Sequence, residues 1–443
     1  MRSRLFASLL VLSLGCASAP GDVVQRSLRA RAVSLAQRAT PGDTPSTRDG
    51  FTRAVIARDP GMVARLERAR AALEQAGVDA ALPSPEASAQ VWNVPFNRPW
   101  AFGDADMYMV ELRQRLPAPG LLGAREREGV ATAGAALAEL STRERELARR
   151  VATAWAERLA AARHHRVHHA HLAVVERMAE SARARLAAGR GPLDDLPRLD
   201  AERARVLRLL ARFDNDRRRA GRSLDVLAGR DVDAPVALPD DAPRESVALP
   251  LQDLLDRALA RRGAVLAARA ALDAAREGAA AAHAEATRPE FMVGLSAWID
   301  PDHHNGYGAT AGMTLPWLWG PGRHRERAAA ARIRAEEGGV REAEDAVRAE
   351  VVEAHARVEG ALRELAVLEG DAQPAADRAV EAAQAGYVTG GTSLLAWLDA
   401  ARTRLDLAME VVDLQLELDR ALASLDEAVG EPLPRTRTDG GAP

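Results

Sequence analysis

The segment Arg288–Arg327 reads RPEFMVGLSAWIDPDHHNGYGATAGMTLPWLWGPGRHRER, and its alternating polarity decides how the rest of the chain is interpreted. The odd positions of residues 291–299 are apolar. Those of residues 307–315 are also apolar, and the even positions there are only Gly and Thr. A period of two is typical of β-strands with one apolar face. The segment therefore predicts a β-hairpin over residues 291–315, followed by a long helix.

Strand length and aromatic positions favour a membrane around this hairpin. Each alternating run has nine residues, close to the roughly 9–11 that a tilted strand needs to cross a bilayer. Trp298 and Tyr307 lie beside the predicted loop and Trp317 and Trp319 follow the other end, as in the aromatic girdles of outer-membrane barrels. A solvent-exposed hairpin of a soluble protein is the alternative for this segment taken alone.

The composition indicates long helices elsewhere. The 443 residues are 47% apolar and 28% charged but only 4% aromatic, which is typical of long or coiled-coil helices. Residues 123–188 contain no proline, and one helix over them would rise about 100 Å. The formal net charge of −3 argues against a nucleic-acid partner.

The N-terminus has the pattern of a secretory signal, because Arg2 and Arg4 precede the apolar run 5–14 and small residues follow. We predict a signal peptide over residues 1–15 and lipidation of Cys16, the only cysteine, because Leu-Gly-Cys resembles the end of a bacterial lipoprotein signal. Ordinary cleavage near residues 17–19 is the alternative. The Pro-, Gly-, Ser- and Thr-rich composition that follows predicts an extended lipidated tether over residues 16–49.

An internal duplication predicts the domain organisation. Leu116-Pro117 matches Leu315-Pro316 and Leu199-Asp200-Ala201 matches Leu398-Asp399-Ala400, at one offset (315 − 116 = 398 − 199 = 199). We assign residues 50–250 to a first repeat, with a β-hairpin at about 91–116 and a helical hairpin at about 123–229. A second repeat covers residues 251–430, with the β-hairpin 291–315 and a helical hairpin over 322–429. Residues 431–443 are predicted to be a flexible tail.

In the first hairpin, Trp92, Val94 and Phe96 are predicted to share one face. Four membrane strands leave two open edges, which lipid does not tolerate. Three chains would pool twelve strands and close a barrel above twelve helical columns. The long helices also need lateral partners, because they do not bury their apolar stripes alone.

Over residues 50–430 the chain resembles the TolC-like family of outer-membrane efflux proteins. The resemblance rests on short matches in order and spacing: the two Leu-Pro strand exits, Arg288-Pro289, residues 386–390, Leu394-Leu395-x-x-Leu398-Asp399-Ala400, and Ala428-Val429-Gly430. It implies a mainly α-helical fold with internal duplication, and a homotrimer with a 12-stranded transmembrane β-barrel in outer-membrane lipid and a periplasmic α-barrel.

The resemblance also implies a passive exit duct, not an enzyme and without a cofactor. Through a periplasmic adaptor it would be coupled to an inner-membrane pump of the resistance-nodulation-division type. In detail these sequence matches are closest to the heavy-metal efflux branch, which implies heavy-metal cations or small toxic compounds as cargo.

A histidine-rich helix is a candidate metal site. His164, His165, His168, His169 and His171 are half of the ten histidines. Their i, i+3 and i, i+4 pairs could chelate Zn or Cu. The neighbouring Arg163 and Arg166 oppose a cation, and a solvated helix face is the alternative.

The predicted periplasmic tips are a candidate gate. In a threefold assembly Asp194 and Asp195 are predicted to form rings that attract cations; alternatively they cap the helix that begins there. Tyr387 matches a tyrosine that closes this end in some relatives. Thr392 and Ala396 stand where those relatives have Arg and Asp, so a lock of that kind is incomplete here.

Two other functions stay open at this point. The first is a periplasmic coiled-coil adaptor or scaffold lipoprotein, which the paired amphipathic hairpins disfavour because an adaptor needs soluble β-domains with mixed cores. The second, a His-rich periplasmic metal-binding protein, rests on the histidine-rich helix alone.

Overall fold

The computed structural model describes residues 20–38, 47–231, 239–300 and 305–438. These residues are mostly helical, with a small β-sheet, and the predicted fold class is confirmed to this extent. Cys16 and the predicted signal peptide lie outside the described residues. In the described part no helix has the length and apolarity needed to cross a membrane.

The helices of the described residues differ widely in length. They are α1 (Pro20–Arg38), α2 (Arg48–Arg58), α3 (Pro60–Asp79), α4 (Leu121–Ala187), α5 (Asp195–Leu227), α6 (Leu251–Arg261), α7 (Gly263–Thr287), α8 (Gly322–Val367), α9 (Gln373–Thr389) and α10 (Leu394–Val429). The strands are β1 (Glu86–Trp92), β2 (Met107–Leu116), β3 (Arg244–Ser246), β4 (Phe291–Ile299), β5 (Gly306–Met313) and β6 (Thr436–Thr438).

The described residues pack as two compact units. The first unit comprises residues 20–32, 66–137 and 269–337 and contains β1, β2, β4 and β5. The second comprises the described parts of residues 33–65, 138–268 and 338–438. The largest apolar core of the second unit joins α6, α8 and α10, with Leu254, Leu365, Leu418 and Leu425 among its fully buried side chains.

The first unit contains a four-stranded antiparallel sheet of order β1-β2-β4-β5. Its register places Leu112 opposite Leu295, and Leu295 opposite Ala309. The central pairing therefore joins the hairpin of the first repeat to that of the second. Strands β1 and β5 are the two outer strands.

Two features of the helices have local causes. Between α8 and α9 the chain forms one π-helical segment over Leu368–Ala372. Pro374 lies just after it, and the ring nitrogen of proline has no hydrogen to donate to the helical ladder, so a local change of hydrogen-bond spacing accommodates it. The break between α6 and α7 falls before Gly263, where a Cβ atom would lie 2.6 Å from the Ala138 carbonyl oxygen. This close approach requires glycine.

The N-terminal segment and the C-terminal tail differ from their predictions. Residues 20–38 are helical and not extended, because the prolines and glycines that predict a tether flank residues 22–38 and do not occur within them. The tail is held as far as residue 438, where β6 pairs with β3. Leu433 is buried, and Arg435 Nη2 lies 2.6 Å from Asp426 Oδ2. Residues 439–443 lie outside the described residues.

Strand β1 also begins earlier than predicted and ends at Trp92. Val94 and Phe96 follow the strand, because Asn93 has a φ of +59° and Pro95 has no N–H for the ladder. The apolar positions of β1 are instead Ala87, Ala89 and Val91. Alanine alternation is a weak signal, which explains why the sequence pattern misses the first half of this strand.

Candidate functional site

The four-stranded sheet has one exposed apolar face. The register brings together the apolar and aromatic residues of all four strands, with Gln114 as a polar exception: Ala87, Ala89, Val91, Tyr108, Val110, Leu112, Leu116, Phe291, Val293, Leu295, Ala297, Ile299, Tyr307, Ala309, Ala311 and Met313. Leu295 is 66% exposed and Val110 59%. A continuous exposed apolar face of this kind marks contact with another apolar phase or partner.

The opposite face carries charged, polar and small residues together with Trp92, Met107, Met109, Met292 and Trp298. Glu111 is buried there and accepts a hydrogen bond from Arg113 Nε at 2.6 Å. Trp298 also lies on this face and covers two glycines, since a Cβ atom at Gly306 would lie 2.5 Å from Trp298 Cζ2. The placement of Trp298 in an outward aromatic girdle is therefore wrong, because its even position in β4 points it to the polar face.

Other aromatic side chains are exposed at both ends of the sheet. Phe96 and Trp100 follow β1 at the end of the sheet where β5 begins with Gly306 and Tyr307, and they are 100% and 74% exposed. Trp317 and Trp319 follow β5 at the opposite end and are 55% and 91% exposed. Exposed aromatics at both edges of an apolar band are typical of membrane strands.

The helical tips of the second unit end in glycine turns. Gly189 follows α4 with a φ of +69°, and Gly390 follows α9 with a φ of +89°. Only glycine adopts this left-handed conformation without a steric cost. Ser393 then caps α10, its Oγ accepting a hydrogen bond from the Ala396 N–H at 3.2 Å.

A buried polar contact joins the two tips. The Tyr387 hydroxyl donates a hydrogen bond to Asp195 Oδ2 at 2.8 Å, and both side chains are buried. Arg185 donates to the Tyr387 carbonyl oxygen, and its guanidinium carbon lies 4.5 Å from the centre of the Tyr387 ring. Burial, and then the hydrogen bond to Asp195, raise the pKa of Tyr387 to about 12, so the phenol keeps its proton at neutral pH.

A second polar contact joins α5 to α10. Glu202 is 5% exposed and accepts hydrogen bonds from Arg402, one of them from Nε at 3.4 Å. Burial alone would raise the pKa of Glu202, but hydrogen bonding and charge from Arg402 outweigh it and lower that pKa. His171 Nε2 lies 3.8 Å from the same carboxylate.

The structure separates the two predicted tip aspartates. Asp195 is buried against Tyr387, so its carboxylate is not free to line a mouth or to cap α5. Asp194 is exposed and pairs with Arg198 at 2.9 Å, but its side chain makes no capping hydrogen bond. The interpretation as a charged ring therefore applies to Asp194 alone, and a gating role for this region stays a prediction.

A comparison with protein families matches residues 254–431 to the family described as Outer membrane efflux protein. The resemblance predicted from the sequence is thus confirmed over these residues. The match covers the second repeat, which contains the hairpin β4–β5 and the tip with Tyr387. A comparison with curated proteins gives no match.

Solved structures of TolC-like channels have the same fold. The chain matches the outer membrane protein VceC from Vibrio cholerae with a TM-score of 0.70 at 19% identity, covering 87% of this chain and 96% of that one. It matches the open MtrE outer membrane channel of Neisseria gonorrhoeae with a TM-score of 0.68 at 20% identity, covering 88% and 90%. For CusC the TM-score is 0.72 at 16% identity, covering 88% and 93%.

The five clustered histidines of α4 do not converge. His168 Nδ1 lies 3.1 Å from the His164 carbonyl oxygen, and the rings of His165 and His169 are 6.5 Å apart. Within the described residues no group of three or more His, Cys, Asp and Glu side chains is arranged to hold a metal. Burial lowers the pKa of His164, His168 and His171. Metal binding by all five together stays a prediction.

Several functional candidates are invisible to motif reasoning because their partners are distant in sequence. Arg185 contacts Tyr387, 202 residues away, and Glu202 contacts Arg402, 200 residues away. Both separations are close to the repeat offset of 199 (398 − 199). Oppositely charged residues separated by about one repeat are therefore a signal that could have identified the second contact.

Proposed function

We propose that the chain forms, as a homotrimer, the passive outer-membrane exit duct of a tripartite efflux system. The observation that carries this proposal is the four-stranded sheet with its exposed apolar face and its two outer strands, β1 and β5. In lipid every backbone N–H and C=O needs a partner, so a sheet must close. Three copies would supply twelve strands, within the range of known outer-membrane barrels.

The two faces of the sheet fit opposite sides of a barrel wall. The face with Val110, Leu112 and Leu295 would contact lipid, and the face with Glu111 and Arg113 would line the water-filled interior. The long helices α4, α5, α8, α9 and α10 would build the wall of a periplasmic α-barrel, since such helices need lateral partners to cover their apolar stripes.

The periplasmic tips would control the mouth of the duct. The hydrogen bond from Tyr387 to Asp195 fastens the tip of the second repeat to that of the first within one chain. We assign it to the closed mouth, which opens when the two tips separate. Asp194, exposed at the same turn, would form a ring that attracts cations.

The remaining partners are proposed on the family resemblance. Cys16 would be lipidated and hold the N-terminus in the outer membrane. A periplasmic adaptor would join the tips to an inner-membrane pump of the resistance-nodulation-division type, and no nucleic acid is involved. The cargo would be heavy-metal cations or small toxic compounds.

The test is heat-modifiable gel mobility of the protein in outer-membrane fractions. A band near three times the 47.4 kDa chain that collapses on boiling supports the proposal. A soluble monomer with nearly all-helical circular dichroism would overturn it and favour a periplasmic scaffold.

A pair of variants sharpens this test. Leu295→Arg places a charge on the apolar face and is expected to lose the band, because an arginine at mid-membrane on the lipid side costs about 2–4 kcal/mol. Thr310→Arg, on the polar face of β5, is the matched control and should retain the band. Equal behaviour of the two variants would contradict the assignment of the faces.

A further inference from the structure

A large cavity lies in the second unit, where α2, α4, α10 and the segment that leads into β3 line it. Its volume is about 1090 Å³, slightly above the roughly 300–1,000 Å³ of small-molecule sites. Trp155, Leu159 and Leu422 form part of its apolar wall. The residues that line it all belong to the second unit, and none of them lies in the four-stranded sheet or at the helical tips. The cavity is therefore distinct from the regions described above.

The charged groups of the cavity wall are almost all paired. Eight arginines and seven carboxylates line the cavity. Seven of the arginines lie within 4.0 Å of a carboxylate, and the eighth, Arg53, is exposed. Six of the carboxylates lie within 4.0 Å of an arginine. Within the part of the chain that the structure describes, Asp419 on α10 is thus the one carboxylate of this wall without an ion pair.

The arginines around Asp419 are engaged with other groups. Three of them act on its charge, and each pairs with a different carboxylate: Arg163 with Asp241 at 3.3 Å, Arg48 with Glu245 at 3.1 Å and Arg435 with Asp426 at 2.6 Å. Burial is the main cause that raises the pKa of Asp419 to about 6, against the lowering effect of Arg163. At neutral pH the side chain is therefore an ionised carboxylate that faces a cavity without a counter-charge of its own. A perturbed carboxylate in such a place is a candidate binding group.

We propose that this cavity binds a small organic monocation, an ammonium or amidinium group on an apolar body, with its charge paired to the Asp419 carboxylate. A charge-assisted hydrogen bond to a carboxylate is about twice as strong as a neutral one. Gln415, one helical turn before Asp419, also lines the cavity and offers an amide oxygen as a second acceptor. The apolar wall would contact the body of the ligand, as in most small-molecule sites.

The charges of the wall select against other ligands. An anion would meet the uncompensated carboxylate of Asp419, and a polycation would meet the surrounding arginines. A neutral compound would leave the carboxylate without a partner, and burying an unpaired charge is costly. Because the site needs only the second unit, this inference holds whether or not the chain is an efflux duct.

The test is calorimetric titration of the full-length protein with benzylammonium chloride. The wild type is expected to bind one benzylammonium per chain, and Asp419→Asn should weaken that binding at least tenfold. The affinity of the wild type should also fall as the pH is lowered through about 6, because the carboxylate then gains a proton. Benzyl alcohol, which has the same ring without the charge, should bind the wild type at least tenfold more weakly.

Two further variants define the outcome. Asp413→Asn removes a carboxylate of α10 that is 66% exposed at its side chain and does not line the cavity, so it should not change the affinity. Ala152→Phe fills part of the cavity, which Ala152 lines, and should weaken binding although Asp419 is retained. Circular dichroism checks that each variant is folded. No binding to the wild type, or equal affinity of the wild type and a folded Asp419→Asn variant, would overturn the proposal.

Discussion

Each of the two predicted repeats contains a β-hairpin followed by long helices, but the two contribute different side chains to the tips. At the repeat offset, Tyr387 corresponds to Ala188 (387 − 199) and Asp195 to Leu394 (195 + 199). Neither repeat could form the hydrogen bond between Tyr387 and Asp195 with a copy of itself. The two predicted repeats are therefore not interchangeable at the tips, because the hydrogen bond needs a tyrosine from one and an aspartate from the other.

Substitutions at equivalent positions should differ most in their effect on stability at Trp397 and Arg198 (397 − 199). Trp397 is fully buried against Tyr387, whereas the Arg198 side chain is 55% exposed. Trp397→Ala should lower the free energy of unfolding by about 3–5 kcal/mol, and Arg198→Ala by less than about 0.5 kcal/mol. Denaturant unfolding followed by circular dichroism measures both, and similar losses would show that the tip is not a packed core.

The next largest difference in the effect of substitution on stability concerns Arg402 and its equivalent Arg203 (402 − 199). Arg402→Met leaves the buried Glu202 without its main partner and should lower the free energy of unfolding by about 2–3 kcal/mol. Arg203→Met removes an exposed side chain and should cost less than about 0.5 kcal/mol.

The pH dependence of this contact has a defined sign. Because the pKa of Glu202 is lowered in the folded chain, its contribution is present above the ordinary glutamate pKa of about 4.3 and is lost as the pH falls through the lowered value. The stability difference between wild type and Arg402→Met should therefore shrink at low pH. A difference that stays constant down to strong acid would contradict the role of the charged pair.

Tyr387→Phe should lower the free energy of unfolding less than Arg402→Met does, but it should directly affect the opening of the proposed mouth. Loss of the hydrogen bond to Asp195 should cost about 1.5 kcal/mol. The folded-state pKa of Tyr387 is raised to about 12, so its contribution is complete below about pH 10, the ordinary tyrosine value, and is lost as the pH rises through 12. If the bond closes the mouth, single-channel conductance of Tyr387→Phe in planar bilayers should exceed that of the wild type, and unchanged conductance would remove Tyr387 from the gate.

The smallest difference is expected between Asp194 and Ser393 (194 + 199), which precede α5 and α10. Ser393 accepts a capping hydrogen bond, so Ser393→Ala should cost about 1 kcal/mol. Asp194 makes none, and Asp194→Ala should lower the free energy of unfolding by less than about 0.5 kcal/mol; it should also reduce the cation preference that the proposed duct would owe to Asp194. Thermal unfolding and reversal potentials in a salt gradient measure the two effects.

Sequence alone predicts the parts of this fold that have a strong period. The alternation in residues 291–315 predicts a hairpin where β4 and β5 lie, and the absence of proline predicts the 67-residue helix α4. Strand β1 is harder, because its apolar positions are mostly alanine. The prolines and glycines around residues 19–50 predict an extended segment. They mask the helix over residues 20–38, which contains neither residue after Gly21.

The candidate sites are less predictable because they depend on contacts between segments about 200 residues apart. From the sequence alone Asp195 is expected to be an exposed carboxylate in a turn, whereas in the structure it accepts a hydrogen bond from Tyr387. His164 looks like one of five equivalent histidines until α10 brings Met409 and Asp413 to its two nitrogens. Local patterns specify which face a residue occupies, but not which partner the other repeat presents to it.

The most direct test of the central claim is cross-linking between the outer strands of neighbouring chains. Ala89→Cys in β1 is combined in turn with Ala309→Cys and Ala311→Cys in β5, and membranes are treated with a short bis-maleimide that tolerates a shifted register. Closure by three chains predicts covalent dimers and trimers and nothing larger, while the variants with only one introduced cysteine, which also retain Cys16, stay monomeric. Monomers alone in both double variants, or a ladder that continues beyond the trimer, would contradict a barrel shared by three chains.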